Sequence, residues 1–311
     1  MNVLIYLVFR GFKFISTLIP LRVVYFISDL FAFTLEHLIK YRYDVISGNL
    51  QKSFPEKHSE EINQIRHEFY KNFSDVMLES LKGYSLSSKA LLKRYKCINP
   101  EIANEYFARG KSVIFAMSHY GNWEWGTQVA SRYFKHQLIS FYKPFSNKLV
   151  DDYINRSRLK HGMMLQSIYK TKFIFRSNDR TPKAYFLLSD QSPGKRKQSY
   201  WLKFLNQDTA CLHGLETYAR LFDMPVIYID VQRVKRGIYE TYLEVICNNP
   251  TKTQTGEITA LYMKKLEKIV QAHPHDWLWS HRRWKMKRNN QEQLFQKHLL
   301  VEQNVVHESI N

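Results

Sequence analysis

Cysteine is scarce in this sequence. Cys97, Cys211 and Cys247 are the only three in 311 residues, they lie far apart, and no C-x-x-C pair occurs. An odd, scattered set excludes a disulfide framework. Eleven glycines and nine prolines leave no long flexible linker, and there is no internal repeat or low-complexity tract. Long hydrophobic runs are also missing. Arg10, Lys13, Arg22, Asp29 and Glu36 interrupt the first forty residues, so their longest uncharged stretch is Met1–Phe9. A spanning helix needs roughly 18 or more mostly apolar residues, and a charge at its centre is costly. A cleaved signal peptide would put basic residues before the apolar run, whereas here the run comes first. Reactive-site signatures are absent too: no G-x-S-x-G elbow, H-E-x-x-H zinc site, P-loop or G-x-G-x-x-G. Acidic residues are in short supply, 28 Asp+Glu against 46 Lys+Arg, giving a formal net charge of +18.

What is present is material for a core, with 44% hydrophobic and 15% aromatic residues. A disordered basic tail has no such content. The length suits one large domain or two small ones. The charge concerns partners rather than fold and points to something anionic. It is uneven: residues 101–200 hold 17 Lys+Arg against 7 Asp+Glu.

The N-terminal forty residues carry Tyr6, Phe9, Phe12, Phe14, Tyr25, Phe26, Phe31 and Phe33 beside Arg10, Lys13 and Arg22. Aromatic and basic residues on an interrupted apolar segment suit a membrane interface. Residues 1–40 are therefore expected to be an apolar helical membrane-anchoring segment, the alternative being a pair of core helices. Residues 41–290 then form the main domain and 291–311 a polar tail.

Within the main domain, Ile62, Ile65, Phe69, Phe73, Val76 and Met77 recur at helical spacing, which predicts a helix over Ser59–Leu81 capped by Ser59. Strands are expected at Lys111–Met117, Gln137–Tyr142, Ala184–Ser189, Pro225–Val231 and Tyr239–Ile246. Helices are expected at Trp123–Phe134, Lys148–His161, Thr209–Leu221 and Gly256–Ala272. This alternation predicts an α/β fold whose mostly parallel central sheet is flanked by helices.

The strand KSVIFAM runs into Ser118-His119-Tyr120-Gly121-Asn122-Trp123-Glu124. The end of a strand in an α/β fold is where ligands and reactive groups collect. His119 and Glu124 form H-x-x-x-x-E. Residues i and i+5 differ by about 140° net around a helix, so the two side chains meet only if His119 lies in the loop and Glu124 in the first turns of the helix. Gly121 permits the reversal. The pair would be a dyad, the imidazole taking a proton from an alcohol and the carboxylate fixing its tautomer. Backbone N–H groups near the helix start could face a developing oxyanion. His273, His275 and Asp276 flank Pro274 without a further ligand set and read as a surface turn, so no metal is expected.

His-Tyr-Gly-Asn-Trp-Glu after a buried strand resembles the signature of the lysophospholipid acyltransferase superfamily, and more narrowly that of the bacterial lipid A biosynthesis (late, or secondary) acyltransferases. The resemblance extends to Tyr41-Arg42, Asn49-Leu50 and Ser53-Phe54-Pro55-Glu56, then to Glu79 near the end of the following helix. Downstream it covers Tyr142-Lys143-Pro144 with Asn147, Arg158 and Gly162, Ser189-Asp190-Gln191-Ser192-Pro193-Gly194, and Trp279-x-His281-Arg282-Arg283-Trp284-Lys285. It implies transfer of a fatty acyl group from acyl-acyl carrier protein to a hydroxyl of a lipid A precursor, at the cytoplasmic face of the inner membrane. His119 would be the general base and Glu124 its orienting partner. Gly121, Asn122, Arg158, Asp190, Gln191, Arg282 and Arg283 would bind substrate. No cofactor, metal or covalent acyl-enzyme is implied, so the cysteines read as structural.

The bland readings stand beside these. Arg158 could be an ion pair with Asp151, Asp152 or another acid. Asp190 and Gln191 could belong to a strand-end turn, and Arg282 and Arg283 could support acidic side chains inside the fold. Trp123 and Trp125 read as packing groups. Lys143 stands where the family pattern has Arg, which forfeits planar bidentate recognition. An acceptor such as a lysophospholipid or aminolipid fits the same motifs. A nucleic-acid-binding module would use the basic clusters, but no RNP, helix-turn-helix or zinc pattern accompanies them, and nucleic acid is not an expected partner. The anionic membrane face, lipid phosphates and an acidic carrier protein account for the same charge.

Overall fold

A computed structural model describes residue 11 and residues 17–295, other than 145, 177, 178, 197 and 198. Most of the tail expected over 291–311, and Tyr6, Phe9, Arg10, Phe12, Lys13 and Phe14, lie outside the described residues. The elements are helices α1 (Leu21–Phe33), α2 (Tyr43–Ser53), α3 (Ser59–Gly83) and α4 (Ser88–Leu92), strand β1 (Tyr95–Cys97), α5 (Glu101–Ala108), β2 (Val113–Met117), α6 (Trp123–Val129), β3 (Gln137–Tyr142), α7 (Lys148–Lys160), β4 (Met163–Ser167), α8 (Thr171–Phe175), β5 (Lys183–Leu188), β6 (Ser199–Phe204), β7 (Gln207–Leu212), α9 (Gly214–Leu221), β8 (Val226–Lys235), β9 (Ile238–Cys247) and α10 (Glu257–Ala272).

Seven strands form one sheet in the order β1-β9-β8-β2-β5-β3-β4. Every pairing in it is parallel except β8 with β9. β6 and β7 make a separate antiparallel pair. The central strand β2 shows why helices must cover both faces. Alternate side chains of a strand point to opposite sides. Ile114 and Ala116 enter one apolar core, while Val113, Phe115 and Met117 enter the other. All five are buried, so neither face of this strand can meet water.

The N-terminal expectation is corrected. No helix among the described residues is long and apolar enough to cross a membrane. α1 has only 13 residues, and the polar groups that interrupt it tie it to the α/β body. Ser28 donates to Asp75 at 2.7 Å and Tyr25 donates to Glu79 at 2.8 Å, both on α3. Asp29 pairs with Arg236 at 2.7 Å. The sequence shows Asp29 as a break in an apolar segment and Tyr25 as an interface aromatic; in the fold both, with Ser28, are docking contacts.

Two smaller differences also have local causes. The start of α3 is capped one residue earlier than expected, at His58, whose backbone N–H donates to Glu61 Oε2 at 3.1 Å in a capping box. Residues 209–212, read as the start of a helix, instead complete β7. They are held there by β6 through a tight turn in which Leu205 and Asn206 both have positive φ.

Candidate active site

The site sits at the C-terminal edge of the parallel sheet, where β2 and β5 lie side by side. Their register pairs Met117 with Leu188, so two residues further along each chain His119 faces Asp190. Asp190 is buried and accepts three hydrogen bonds, two from His119 and one from Trp277. The His119 backbone N–H donates to Oδ2 at 2.9 Å, the His119 ring meets Oδ1 through Nδ1 at 2.7 Å, and Trp277 Nε1 donates to Oδ2 at 3.0 Å. Burial pushes the Asp190 pKa up, but the His119 charge and these hydrogen bonds overcome it and hold the carboxyl at about 2. Burial likewise opposes a charge on His119. The Asp190 carboxylate and, more weakly, Glu124 outweigh that and raise the imidazole above its ordinary value.

An ionised carboxylate only accepts hydrogen bonds, so Nδ1 of His119 carries the proton toward Asp190. In the neutral ring Nε2 is then the lone-pair nitrogen. The Gln191 side-chain amide lies 3.3 Å from it. The next residue is fixed from the far end of the chain: the Ser192 N–H donates to His281 Nε2 at 3.1 Å. Burial lowers His281 to about 4, which keeps that ring neutral and able to accept. The carbonyls around His281 are gripped in turn by early residues. Asn49 donates to Trp279 and His281 carbonyls at 3.0 and 3.1 Å, and Arg42 to the Ser280 carbonyl at 2.7 Å.

The loop after His119 is equally constrained. Gly121 has φ +56°, and a Cβ there would meet Val231 Cγ1 at 2.9 Å. Its N–H donates to the Asp276 carbonyl at 3.1 Å, and the Leu278 N–H donates to the His119 carbonyl at 3.2 Å. Asn122 caps α6: its Oδ1 accepts from Trp125 N–H at 2.9 Å, a contact worth about 1 kcal/mol. Its Nδ2 donates to Glu79 Oε2 at 2.8 Å. Glu79 also accepts from Tyr239 at 2.7 Å and from Tyr25, and its backbone carbonyl accepts from Trp125 Nε1 at 2.7 Å. Burial raises the Glu79 pKa against these hydrogen bonds. One buried carboxyl thus joins α1, α3, β9 and the motif loop.

Glu124 lies in the first turn of α6. It forms an ion pair with Arg158 of α7, and no hydrogen bond joins it to His119 among the described residues. Both residues, with His119 and Lys143, line a cavity of about 690 Å³ whose other walls are mainly apolar, among them Met77, Leu81, Val150, Ile154, Leu165, Phe186 and Leu188. That volume is within the usual range for a small-molecule site, about 300–1,000 Å³. The arrangement offers an apolar chamber with an imidazole and an ion pair in its lining.

Of the residues expected from the sequence, His119, Gly121, Asn122, Asp190 and Gln191 come together in one cluster, and Glu124 and Arg158 stand beside it on the cavity wall. Arg282 is exposed. Arg283 is 1% exposed and holds β7, donating to the Ala210 carbonyl at 2.6 Å and meeting Cys211 Sγ at 3.5 Å. Its role in the fold is structural support. Burial pushes the thiols up, Cys97 to about 12 and Cys247 to about 11, and no cysteine lines the large cavity. The sequence reading missed Tyr25, Tyr239 and the pairing of His119 with Asp190. Only the last had a visible signal, an acidic residue just past a second buried strand.

The sequence model of the family described as bacterial lipid A biosynthesis acyltransferase matches residues 2–286. The lipid A biosynthesis palmitoleoyltransferase of Escherichia coli (strain K12) is 20% identical over 279 residues, 89% of this chain and 90% of that protein. A lipid A biosynthesis acyltransferase of Shigella flexneri matches to the same extent, and one of Haemophilus influenzae is 25% identical over 236 residues, 74% of this chain and 72% of its own. A match of this extent, around a histidine that is held by a buried aspartate and lines an apolar cavity, settles the family: the chain belongs to the bacterial lipid A biosynthesis acyltransferases.

Proposed function

We propose that this acyltransferase moves a fatty acyl chain from an acyl carrier protein thioester to a hydroxyl of a lipid A precursor, with His119 as general base. The observation that carries the reading is the 2.7 Å contact of His119 Nδ1 with the buried Asp190 carboxylate: it favours the tautomer that leaves the Nε2 lone pair beside a cavity suited to an acyl chain. The hydroxyl proton passes to Nε2 as its oxygen attacks the thioester carbonyl carbon. The tetrahedral intermediate collapses, the C–S bond breaks, and the imidazolium returns the proton to the departing sulfur. Asp190 holds the ring and stabilises its cation, the part an orienting carboxylate plays in a triad. In this reading Glu124 acts through its charge and through Arg158 rather than as the ring's direct partner.

A thiolate leaves readily, so the mechanism asks for a base more than for a strong acid. The acceptor is a lipid and the donor a soluble acidic protein, which sets the reaction at the cytoplasmic face of the inner membrane. The excess of positive charge in residues 101–200 favours both partners. His119→Ala tests the base: purified and folded, it should lose transfer of a radiolabelled acyl group to the lipid A precursor. Full transfer by that variant would sink the mechanism. Mass spectrometry of lipid A from a deletion strain tests the acceptor, with loss of one acyl chain's mass as the expected result.

A further inference from the structure

Away from the cavity, a second cluster of side chains has a different chemistry. After α1 the chain makes one wide turn, Thr34–Leu38, closed by the Ile39 N–H to the Thr34 carbonyl at 2.9 Å. Such π-turns are rare and are enriched at functional sites. Glu36 and His37 lie in this turn, and His67 faces them from α3. Glu36 is 6% exposed. Two imidazoles converge on one of its oxygens: His67 Nδ1 is 2.7 Å and His37 Nε2 is 3.5 Å from Oε2. One donor atom from each of the three residues lies within 4.8 Å of the others.

We propose that Glu36, His37 and His67 bind a divalent transition-metal ion of the Zn²⁺ type. Two histidines and a carboxylate are an established donor set for this ion, with bonds of about 2.0–2.2 Å and a fourth position open to water. Tetrahedral bonds of that length set neighbouring donors roughly 3.3 Å apart. The His37 contact already has this spacing, and the His67 contact needs to open by roughly half an ångström. Arg66 stands by the other carboxylate oxygen, Nε at 4.0 Å from Oε1, which leaves Oε2 to the ion. The side chains of His37 and His67 are half exposed, so the ion has an entry path while its carboxylate is anchored in the fold. His67 precedes Val76, a cavity residue, by nine positions on α3, about 13 Å along the helix axis. The ion would pin the turn after α1 to α3 without touching the acyl-transfer chemistry.

The test uses full-length protein without a histidine tag, stripped with a chelator. Zn²⁺ is titrated by calorimetry and Co²⁺ by its visible absorption. The expected result is one ion per chain, a four-coordinate Co²⁺ spectrum, and a melting temperature raised by about 4 °C at a hundredfold excess of Zn²⁺ over Kd. Altering even an outer-shell partner of a metal site weakens binding about 10–100-fold. His37→Ala and His67→Ala should therefore each weaken it by roughly tenfold or more, with acyl transfer unchanged. No binding at micromolar ion would overturn the proposal. So would an ion that binds His37→Ala as tightly as wild type. His37 makes the looser contact with Glu36, so its variant keeps the test valid if His67→Ala does not fold.

Discussion

Asp190→Asn changes one atom and should disable the enzyme through the tautomer of His119. Two donors, the His119 backbone N–H and Trp277 Nε1, converge on Oδ2. An asparagine must put its carbonyl oxygen there, because an NH2 group would face two N–H groups. Its NH2 then occupies the Oδ1 position, 2.7 Å from His119 Nδ1. That contact is satisfied only if Nδ1 gives up its proton and accepts. The ring proton moves to Nε2, and the nitrogen that should receive the hydroxyl proton now carries one. All hydrogen bonds remain paired, so the fold persists while the base is lost. The equivalent substitution in a serine protease triad lowers kcat about 10⁴-fold, and a loss of about 10³–10⁴-fold, or about 4–5.5 kcal/mol in activation free energy, is expected here. Turnover of acyl carrier protein thioester with a lipid A precursor measures it at saturating substrate. Nitrogen NMR of labelled histidine reports the tautomer, and thermal melting confirms the fold. A variant that keeps more than about a tenth of wild-type kcat, or one whose Nδ1 remains protonated, would refute the reasoning.

The pH profile follows from the same pair. The base must be neutral, and Asp190 raises the His119 pKa, so kcat/KM should fall as pH drops, with a midpoint above the ordinary imidazole value of about 6.5; a midpoint below it would contradict the assignment. Glu79→Ala strands the donors of Tyr25, Asn122 and Tyr239, each buried orphan costing about 1–3 kcal/mol. Denaturant unfolding should show a loss of about 3 kcal/mol or more, with Glu79→Gln losing clearly less. Glu124→Gln leaves the mostly buried Arg158 cation without its partner, a change worth about 3 kcal/mol for a well-buried pair and less here because Glu124 is partly exposed. The double variant with Arg158→Gln should regain part of that stability in a melting experiment while remaining poorly active.

The central sheet is legible in the sequence because its strands are buried on both faces. Val113–Met117 is an unbroken apolar run, and the spacing of such runs between helical segments fixes a parallel α/β order. β4 is harder to see: it is an edge strand in which only Met163 is fully buried, so no continuous apolar signal marks it. The H-x-x-x-x-E motif is local and therefore visible. The pairing of His119 with Asp190 is not, since it depends on β2 lying next to β5 while two strands, β3 and β4, intervene in the chain. The two blocks at opposite ends of the sequence are another non-local fact. Nothing in Arg42 or Asn49 announces that they hold the carbonyls of residues 279–281. At the N-terminus the composition points one way and the packing another. Asp29 reads as a break in an apolar stretch and Tyr25 as an interface aromatic because their partners, Arg236 and Glu79, are 207 and 54 positions away.

The Gln191 amide beside His119 Nε2 bears on fidelity. In the proposed mechanism the base does not wait with an open lone pair. Whatever surrenders a proton to it must first move that amide aside. A lone water has only its own hydrogen bonds with which to do so, whereas a lipid acceptor brings the binding energy of its whole body. The resting contact therefore weighs against spilling the thioester to solvent between encounters with the acceptor, and loss of Gln191 should show as futile hydrolysis of the donor rather than as faster transfer.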